Sequence, residues 1–186
     1  MKMTIKPILF NTEMVRAILD GRKSCTRRIV KHDVGAILNS PYHKEHPEVA
    51  DKQIISKLCI PPYQPGDILY VRETWKKAPN GYYYYEDWQK DDIADVTKWK
   101  PSIHMPKEAA RIWLKVTDVR VERLQDMTDD DAEAEGCFDY TSTALGFPDV
   151  WDSTIKKSDL DRYGWNANPW VWVIEFERCE KPKEEN

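Results

Sequence analysis

Ala110-Arg111-Ile112-Trp113-Leu114-Lys115-Val116-Thr117-Asp118-Val119-Arg120-Val121-Glu122-Arg123-Leu124 is the longest extended signal in the chain. Ile112, Leu114 and Val116 recur at the two-residue period of a strand, and Val119 and Val121 resume that period one position out of step. A slip of this kind near Asp118 marks a bulge or bend, the device by which a strand turns the corner of a small barrel.

The flanking elements fit the same reading. Pro65-Gly66-Asp67 is a turn that feeds an alternating strand from Ile68 to Trp75. Gly81 to Trp88, with consecutive tyrosines at 82–85, suits a strand or hairpin arm, because aromatic rings pack well on a pleated surface. Thr128 stands three residues before Asp131, the spacing of a capped and acidic helix start, and Gly136 stops that helix. A further helix is predicted over Pro148 to Lys156. Trp170 to Cys179 is the closing strand, with Trp170, Trp172, Ile174 and Phe176 on one side. Near the N-terminus, Met3 to Phe10 is extended, Asn11-Thr12 caps a helix over Glu13 to Asp20, and Gly21 ends it. Val15, Ile18 and Leu19 share one face of that helix, which therefore packs on a core. Several strands and few helices predict an α+β fold, a small mixed β-barrel with a few short peripheral helices. Residues 31–62 carry only a modest apolar segment, Ile54 to Ile60, and read as an insertion.

Composition narrows the function. A chain of 186 residues with 41% hydrophobic content can bury one core, so a single domain is expected over 1–186. A formal net charge of -4 argues against binding duplex DNA by bulk electrostatics, which calls for a broadly basic face. Any nucleic-acid contact is therefore expected to be local. The four cysteines, Cys25, Cys59, Cys137 and Cys179, form no C-x-x-C pair and fit free thiols in a reducing compartment. No apolar run reaches membrane-spanning length and no secretory leader is evident, so the expected location is the cytoplasm, with no membrane partner.

The segment Gly21-Arg22-Lys23-Ser24-Cys25-Thr26-Arg27-Arg28 follows the first helix directly. Arg22, Lys23, Arg27 and Arg28 place four cations within seven residues, and their repulsion costs free energy unless something negative occupies the space they enclose. Like charges nearby also favour neutral Lys23, the form a general base or nucleophile requires. The segment therefore predicts an anion-facing active-site loop. Set against this is a solvated basic turn, or a phosphate-binding lip without catalysis.

The helix, the G-x-K-x-x-T-x-R run and the Pro-Gly-Asp strand together resemble the ASCH family, which has a PUA-like β-barrel. The resemblance continues through Asp131-Ala132-Glu133-Ala134-Glu135, similar to the family's acidic helix, and Val173-Ile174-Glu175-Phe176, similar to its last strand. It spans nearly the whole chain. It implies a lysine, a threonine and a glutamate as catalytic groups, as in N4-acetylcytidine amidohydrolases, and these fall on Lys23, Thr26 and Glu135. Glu133 and Asp131 lie close enough in sequence to slide into the register of Glu135. Residues 31–62 and 76–107 are longer than in compact members, which makes the chain resemble phage- and prophage-encoded ASCH proteins.

Amide hydrolysis needs a nucleophile, a base and a group that orients the base or protonates the leaving amine. Thr26, Lys23 and Glu135 fill those roles, with arginines or backbone amides stabilising the oxyanion. The expected substrate is a modified cytosine-type nucleoside or nucleotide carrying an N-acyl group, handled without metal or organic cofactor. The alternative is a module that binds RNA, single-stranded nucleic acid or a modified base without turnover, or a ribonuclease. In that alternative Arg22, Arg27 and Arg28 grip phosphates while aromatics stack a base. Glu73 and Trp75 are candidates for the substrate pocket. Glu73, a carboxylate in an apolar strand, lies at a solvent edge or pairs with a cation such as Arg28 or Arg72. Most of the tryptophans are expected in packing roles.

Three weaker signals complete the reading. His43 and His46 have ligand-like spacing, but the prolines and polarity around them predict a loop, and no third or fourth ligand is evident, so no metal site is expected. Cys25 is the cysteine most exposed to neighbouring positive charge, with a buried inert thiol as the plainer reading. Pro101 to Pro106, with Ser102 and His104, is either a loop that folds over the pocket or a structural one.

Overall fold

The structure is a computed structural model that describes residues 4–88, 98–137 and 143–183. Among the described residues seven strands follow in chain order: β1 (Ile5–Leu9), β2 (Cys25–Ile29), β3 (Ile68–Arg72), β4 (Trp75–Ala78), β5 (Gly81–Tyr84), β6 (Trp113–Arg123) and β7 (Trp170–Cys179). Five form one sheet in the order β1-β3-β6-β7-β2, and β4 and β5 form a separate two-stranded sheet. β1 pairs with β3 in parallel, whereas β3 with β6 and β2 with β7 are antiparallel, so the sheet is mixed. With its short helices this is the α+β class expected from the sequence.

By backbone packing the chain divides into two units, each assembled from separated segments. The first comprises Met1–Ser24, Pro65–Thr117 and Phe176–Asn186; the second comprises Cys25–Gln64 and Asp118–Glu175. The division in β6 falls where the two-residue period slips. Ile112, Leu114 and Val116 are buried before it and Val121 after it, while Thr117 and Asp118 are exposed.

In the first unit the helix Thr12–Leu19 starts at Asn11, whose side chain accepts the Met14 N–H at 2.9 Å. Val15, Ala17 and Ile18 are buried, and enclosing Val15 and Ile18 is worth roughly 2 kcal/mol each. The helix stops because Gly21 takes a φ of 75°, a left-handed geometry that costs glycine least. The Gly21 N–H then donates to Ile18 O, and the N–H groups of Arg22 and Lys23 both donate to Ala17 O. Ile68, Trp75, Met105, Ala109, Ala110 and Trp113 form an apolar cluster in this unit.

The predicted strand Ile68 to Trp75 breaks after Arg72. The Glu73 N–H is taken by the Met105 sulfur at 3.2 Å rather than by a neighbouring strand. Trp75 then exchanges backbone bonds with Lys100 and opens the β4–β5 hairpin. The tyrosine tract is strand only as far as Tyr84, after which Tyr85–Trp88 is helical.

In the second unit β2 pairs with β7 from Cys25↔Glu175 to Ile29↔Val171. The segment read as a loop after the first helix is thus largely a strand, and this is the main correction to the local reading. Tertiary pairing with β7 overrides the mutual repulsion of its cations. Leu124, Ala132, Phe147, Trp151, Val171 and Val173 form the apolar cluster here. Val171 and Val173 are as buried as Trp172 and Ile174, because β7 is an interior strand covered on both faces. Residues 31–62, read as an insertion, hold three short helices, Val34–Leu38, Pro41–Glu45 and Asp51–Leu58. Ile54 and Ile55 are buried there. The acidic helix Asp129–Ala134 has the predicted start as a full capping box between Thr128 and Asp131. The helix expected from Pro148 begins earlier and spans Thr143–Ser153, with Pro148 inside it.

Candidate functional site

Strand β2 carries Thr26, Arg27 and Arg28, and its alternation sets Thr26 and Arg28 on one face with Cys25 and Arg27 on the other. Thr26 is 2% exposed, and its Oγ1 accepts a hydrogen bond from Arg28 Nη1 at 2.8 Å. A second donation from Arg28 goes to Arg27 O at 3.0 Å. Among the described residues no acceptor is recorded for the Thr26 hydroxyl proton. Burial pushes the Arg28 guanidinium down from the usual arginine range, with the charges of Glu135 and Tyr63 acting in the opposite sense.

On the other face, Arg27 is enclosed by acidic groups. Nη1 lies 3.3 Å from Glu135 Oε1, and Nη2 lies 3.1 Å from Asp131 Oδ1 and 3.9 Å from Glu122 Oε2. Burial opposes the Arg27 charge, but Glu135, the Cys25 sulfur and Asp131 outweigh it and raise the proton affinity of the guanidinium. Nε has no hydrogen-bond partner among the described residues, and the ion pair at Nη2 lacks hydrogen-bond geometry. Asp131 is held below the usual carboxylate range: burial works against ionisation, but the hydrogen bonds from Thr128 and the positive charge of Arg27 prevail. Arg120 extends the network, reaching Glu122 at 2.6 Å, Asp118 and Asp131 at 3.5 Å, and Glu175 across a short contact.

The acidic helix reaches this place because Gly136, at φ 89°, terminates it just after Glu135. Glu135 is the capping residue at that end and is 6% exposed. Of the three acidic candidates, Glu135 and Asp131 both face Arg27, and Asp131 is additionally committed to capping.

Arg22, Lys23, Glu73 and Trp75 belong to the first unit. Arg22 pairs with Asp20 through Nη2 at 3.0 Å. Lys23 is 5% exposed, with Nζ 5.4 Å from the Phe10 ring centroid. Glu73 does not pair with Arg28 or Arg72. Its carboxylate is gripped at both oxygens by Arg111, at 2.9 and 3.0 Å, while Arg72 donates to Met105 O. Arg111 also holds Asp87 at 2.8 Å and lies over the Tyr84 ring at 4.1 Å. Burial raises the Glu73 pKa above the usual glutamate range despite Arg111, and Asp87 and Glu86 add to the effect. Trp75 is 5% exposed, flanked by Tyr82 at 5.8 Å and by Lys100 Nζ at 5.0 Å. In the Pro101 to Pro106 segment, Ser102–His104 forms a single helical turn and Met105 is fully buried in the apolar cluster of this unit.

The sequence missed Arg111, Arg120, Glu122 and Glu175 as partners. Arg120 and Glu122 stand two apart in an alternating strand, a spacing that sets them on one face. Nothing local links Arg111 to Glu73, 38 residues away. His43, expected in a loop, is helical, and its Nε2 meets Asp51 at 3.0 Å. Among the described residues no group of three or more His, Cys, Asp or Glu side chains is arranged to hold a metal ion. No helix among them is long and apolar enough to cross a membrane.

No protein-family model matches this chain, and no curated protein matches it. Two solved structures are similar to it. One is the crystal structure of an ASCH domain from Lactobacillus crispatus JV V101, 13% identical over 94% of this chain and 79% of that one, with a TM-score of 0.48. The other is the crystal structure of hypothetical protein PH0355, 14% identical over 95% of this chain and 100% of that one, with a TM-score of 0.44.

Proposed function

We propose that this protein is an amidohydrolase that removes an N-acyl group from a modified cytosine-type nucleoside, with Thr26 as nucleophile. The observation that carries the reading is the 2.8 Å hydrogen bond from Arg28 Nη1 to Thr26 Oγ1. A part-buried guanidinium on that oxygen stabilises negative charge developing there, and it leaves the hydroxyl proton for a base to remove. In the reaction, Thr26 Oγ bonds to the acyl carbon as its proton passes to the base. The tetrahedral oxyanion then collapses, the C–N bond breaks, and the amine departs with a proton. Water next cleaves the Thr26 ester to release the carboxylic acid. Lys23 is assigned as the base from its place in the G-x-K-x-x-T-x-R run. Glu135 is assigned as the acid or orienting group.

The phosphate-gripping alternative loses support at this segment. Arg22 and Arg27 already hold the carboxylates of Asp20, Glu135 and Asp131, which a phosphate would have to displace. A substrate without phosphate suits such internally paired cations better.

The test is to incubate the protein with N4-acetylcytidine and follow cytidine release by chromatography. Thr26→Ala is expected to abolish release, Thr26→Ser to retain part of it, and Lys23→Ala to reduce it by about 100-fold or more. Turnover by Thr26→Ala at the wild-type rate, or no release by folded wild-type protein, would refute the assignment.

A further inference from the structure

The second unit has a cavity of about 240 Å³, walled in part by Arg123, Arg162, Trp170, Tyr163, His32 and Asp33, and Thr26 is not among its lining residues. Its arginines differ from those of β2. Arg123 donates to Asn168 O at 3.0 Å and lies over the Trp170 ring at 4.4 Å; Arg162 lies over the Tyr163 ring at 5.0 Å. Neither has a carboxylate within ion-pair distance among the described residues. Arg16, Arg22, Arg27, Arg111 and Arg120 all do. In a chain of formal net charge -4, two guanidiniums that open on one cavity with no carboxylate in ion-pair contact among the described residues are a place for an external anion.

The cavity walls add a shape requirement. Each guanidinium lies over an aromatic ring, and such Arg–aromatic pairs offer surfaces on which a base can stack. His32, exposed at the same cavity, supplies ring nitrogens to an edge of the ligand. Asp33 is engaged through Oδ1 in capping the helix Val34–Leu38, at the Ala36 N–H, and its negative charge directs a phosphate toward the arginine side. The volume suits one small planar ligand bearing one anionic group rather than an extended one.

We propose that this cavity is a binding site for a nucleoside monophosphate unit, with the phosphate on Arg123 and Arg162 and the base against the Arg–aromatic pairs. The unit is either a free mononucleotide or one nucleotide of a single strand, since both present the same phosphate and ring. The site is independent of the Thr26 chemistry.

The experiment is calorimetric titration of the full chain with AMP, CMP, GMP and UMP, with adenosine and inorganic phosphate alone, and with a five-nucleotide single-stranded RNA. Arg162→Ala is the informative variant, because Arg162 is exposed and its recorded contact is the Tyr163 ring, so the fold does not depend on it. At least one monophosphate, or the RNA, is expected to bind with Kd below about 1 mM, and Arg162→Ala is expected to weaken that binding about tenfold or more. Adenosine and phosphate separately are expected to bind at least about tenfold more weakly than the best monophosphate. Binding of the free nucleotides identifies them as the source, and binding of the RNA alone identifies a strand; both sustain the site. Absence of all binding, or Arg162→Ala binding as tightly as wild type, overturns it. Thr26→Ala is expected to bind the same probes unchanged, so loss of hydrolysis and loss of this site are separately readable.

Discussion

Replacing Arg27 by methionine removes a cation whose side chain is 1% exposed and keeps most of its volume. Glu135, 8% exposed at the side chain, loses its 3.3 Å partner and becomes a buried charge with weakened compensation. Asp131 and Glu122 lose less, because they are 22% and 26% exposed and Arg120 also holds them. Breaking a buried pair from one side costs about 3–5 kcal/mol. Solvent access at Asp131, the nearby charge of Arg28, and the unbonded Nε that methionine eliminates all lower the figure. The expected loss is therefore about 3 kcal/mol at neutral pH, or a fall in Tm of roughly 6–12 °C for a chain of this size. Urea unfolding followed by circular dichroism measures it. The double variant Arg27→Met with Glu135→Gln is expected to recover most of the loss, since it removes the buried charge whose compensation Arg27→Met weakens. The acid limb is expected to change as well. Asp131 has a lowered pKa in the fold, so its contribution is present above the unfolded carboxylate pKa and is lost as pH falls through the folded value. Without Arg27 that contribution shrinks. Stability of Arg27→Met within about 0.5 kcal/mol of wild type, or no recovery in the double variant, would refute the reasoning.

Glu73 titrates with the opposite sign. Its folded pKa is raised, so the folded state holds the proton more tightly and stability falls as pH rises from the unfolded glutamate pKa through the folded value. Glu73→Gln is expected to flatten the pH dependence of unfolding in that window, and an unchanged slope would sink the assignment. Gly21→Ala forces a side chain into φ 75° with no crowding near its Cβ, so the cost is conformational alone, about 1 kcal/mol in urea unfolding. A neutral or stabilising result would show that the helix stop relaxes away from the left-handed geometry.

Much of the secondary structure was legible because its causes are local. The Asn11 cap, the Thr128–Asp131 box, the terminating glycines and the two-residue periods of β6 and β7 act within a few positions, and the structure places elements at each of them. The slip at Asp118 was legible for the same reason, since it is a change of parity in the pattern itself. Elements whose cause is distant were not. Cys25 to Ile29 has no apolar alternation to announce a strand, and it becomes one by pairing with β7, about 150 residues away. Residues 34–58 bury mainly Ile54 and Ile55, too weak a periodicity to reveal three helices.

The candidate site divides in the same way. Composition and spacing alone singled out the concentration of charge at Arg22 to Arg28 and the acidic helix near Glu135, because both are runs along the chain. Tertiary structure decided who neutralises whom: Arg27 with Glu135 and Asp131, Arg28 on Thr26, and Arg111 rather than Arg28 or Arg72 on Glu73. The reason is physical. A charge in isolation specifies only that it needs a partner or solvent, and which carboxylate answers it depends on strand register and helix length, properties of the folded chain. The same holds for Arg123 and Arg162, unremarkable in sequence, which the fold sets around one cavity with no carboxylate in ion-pair contact with either among the described residues.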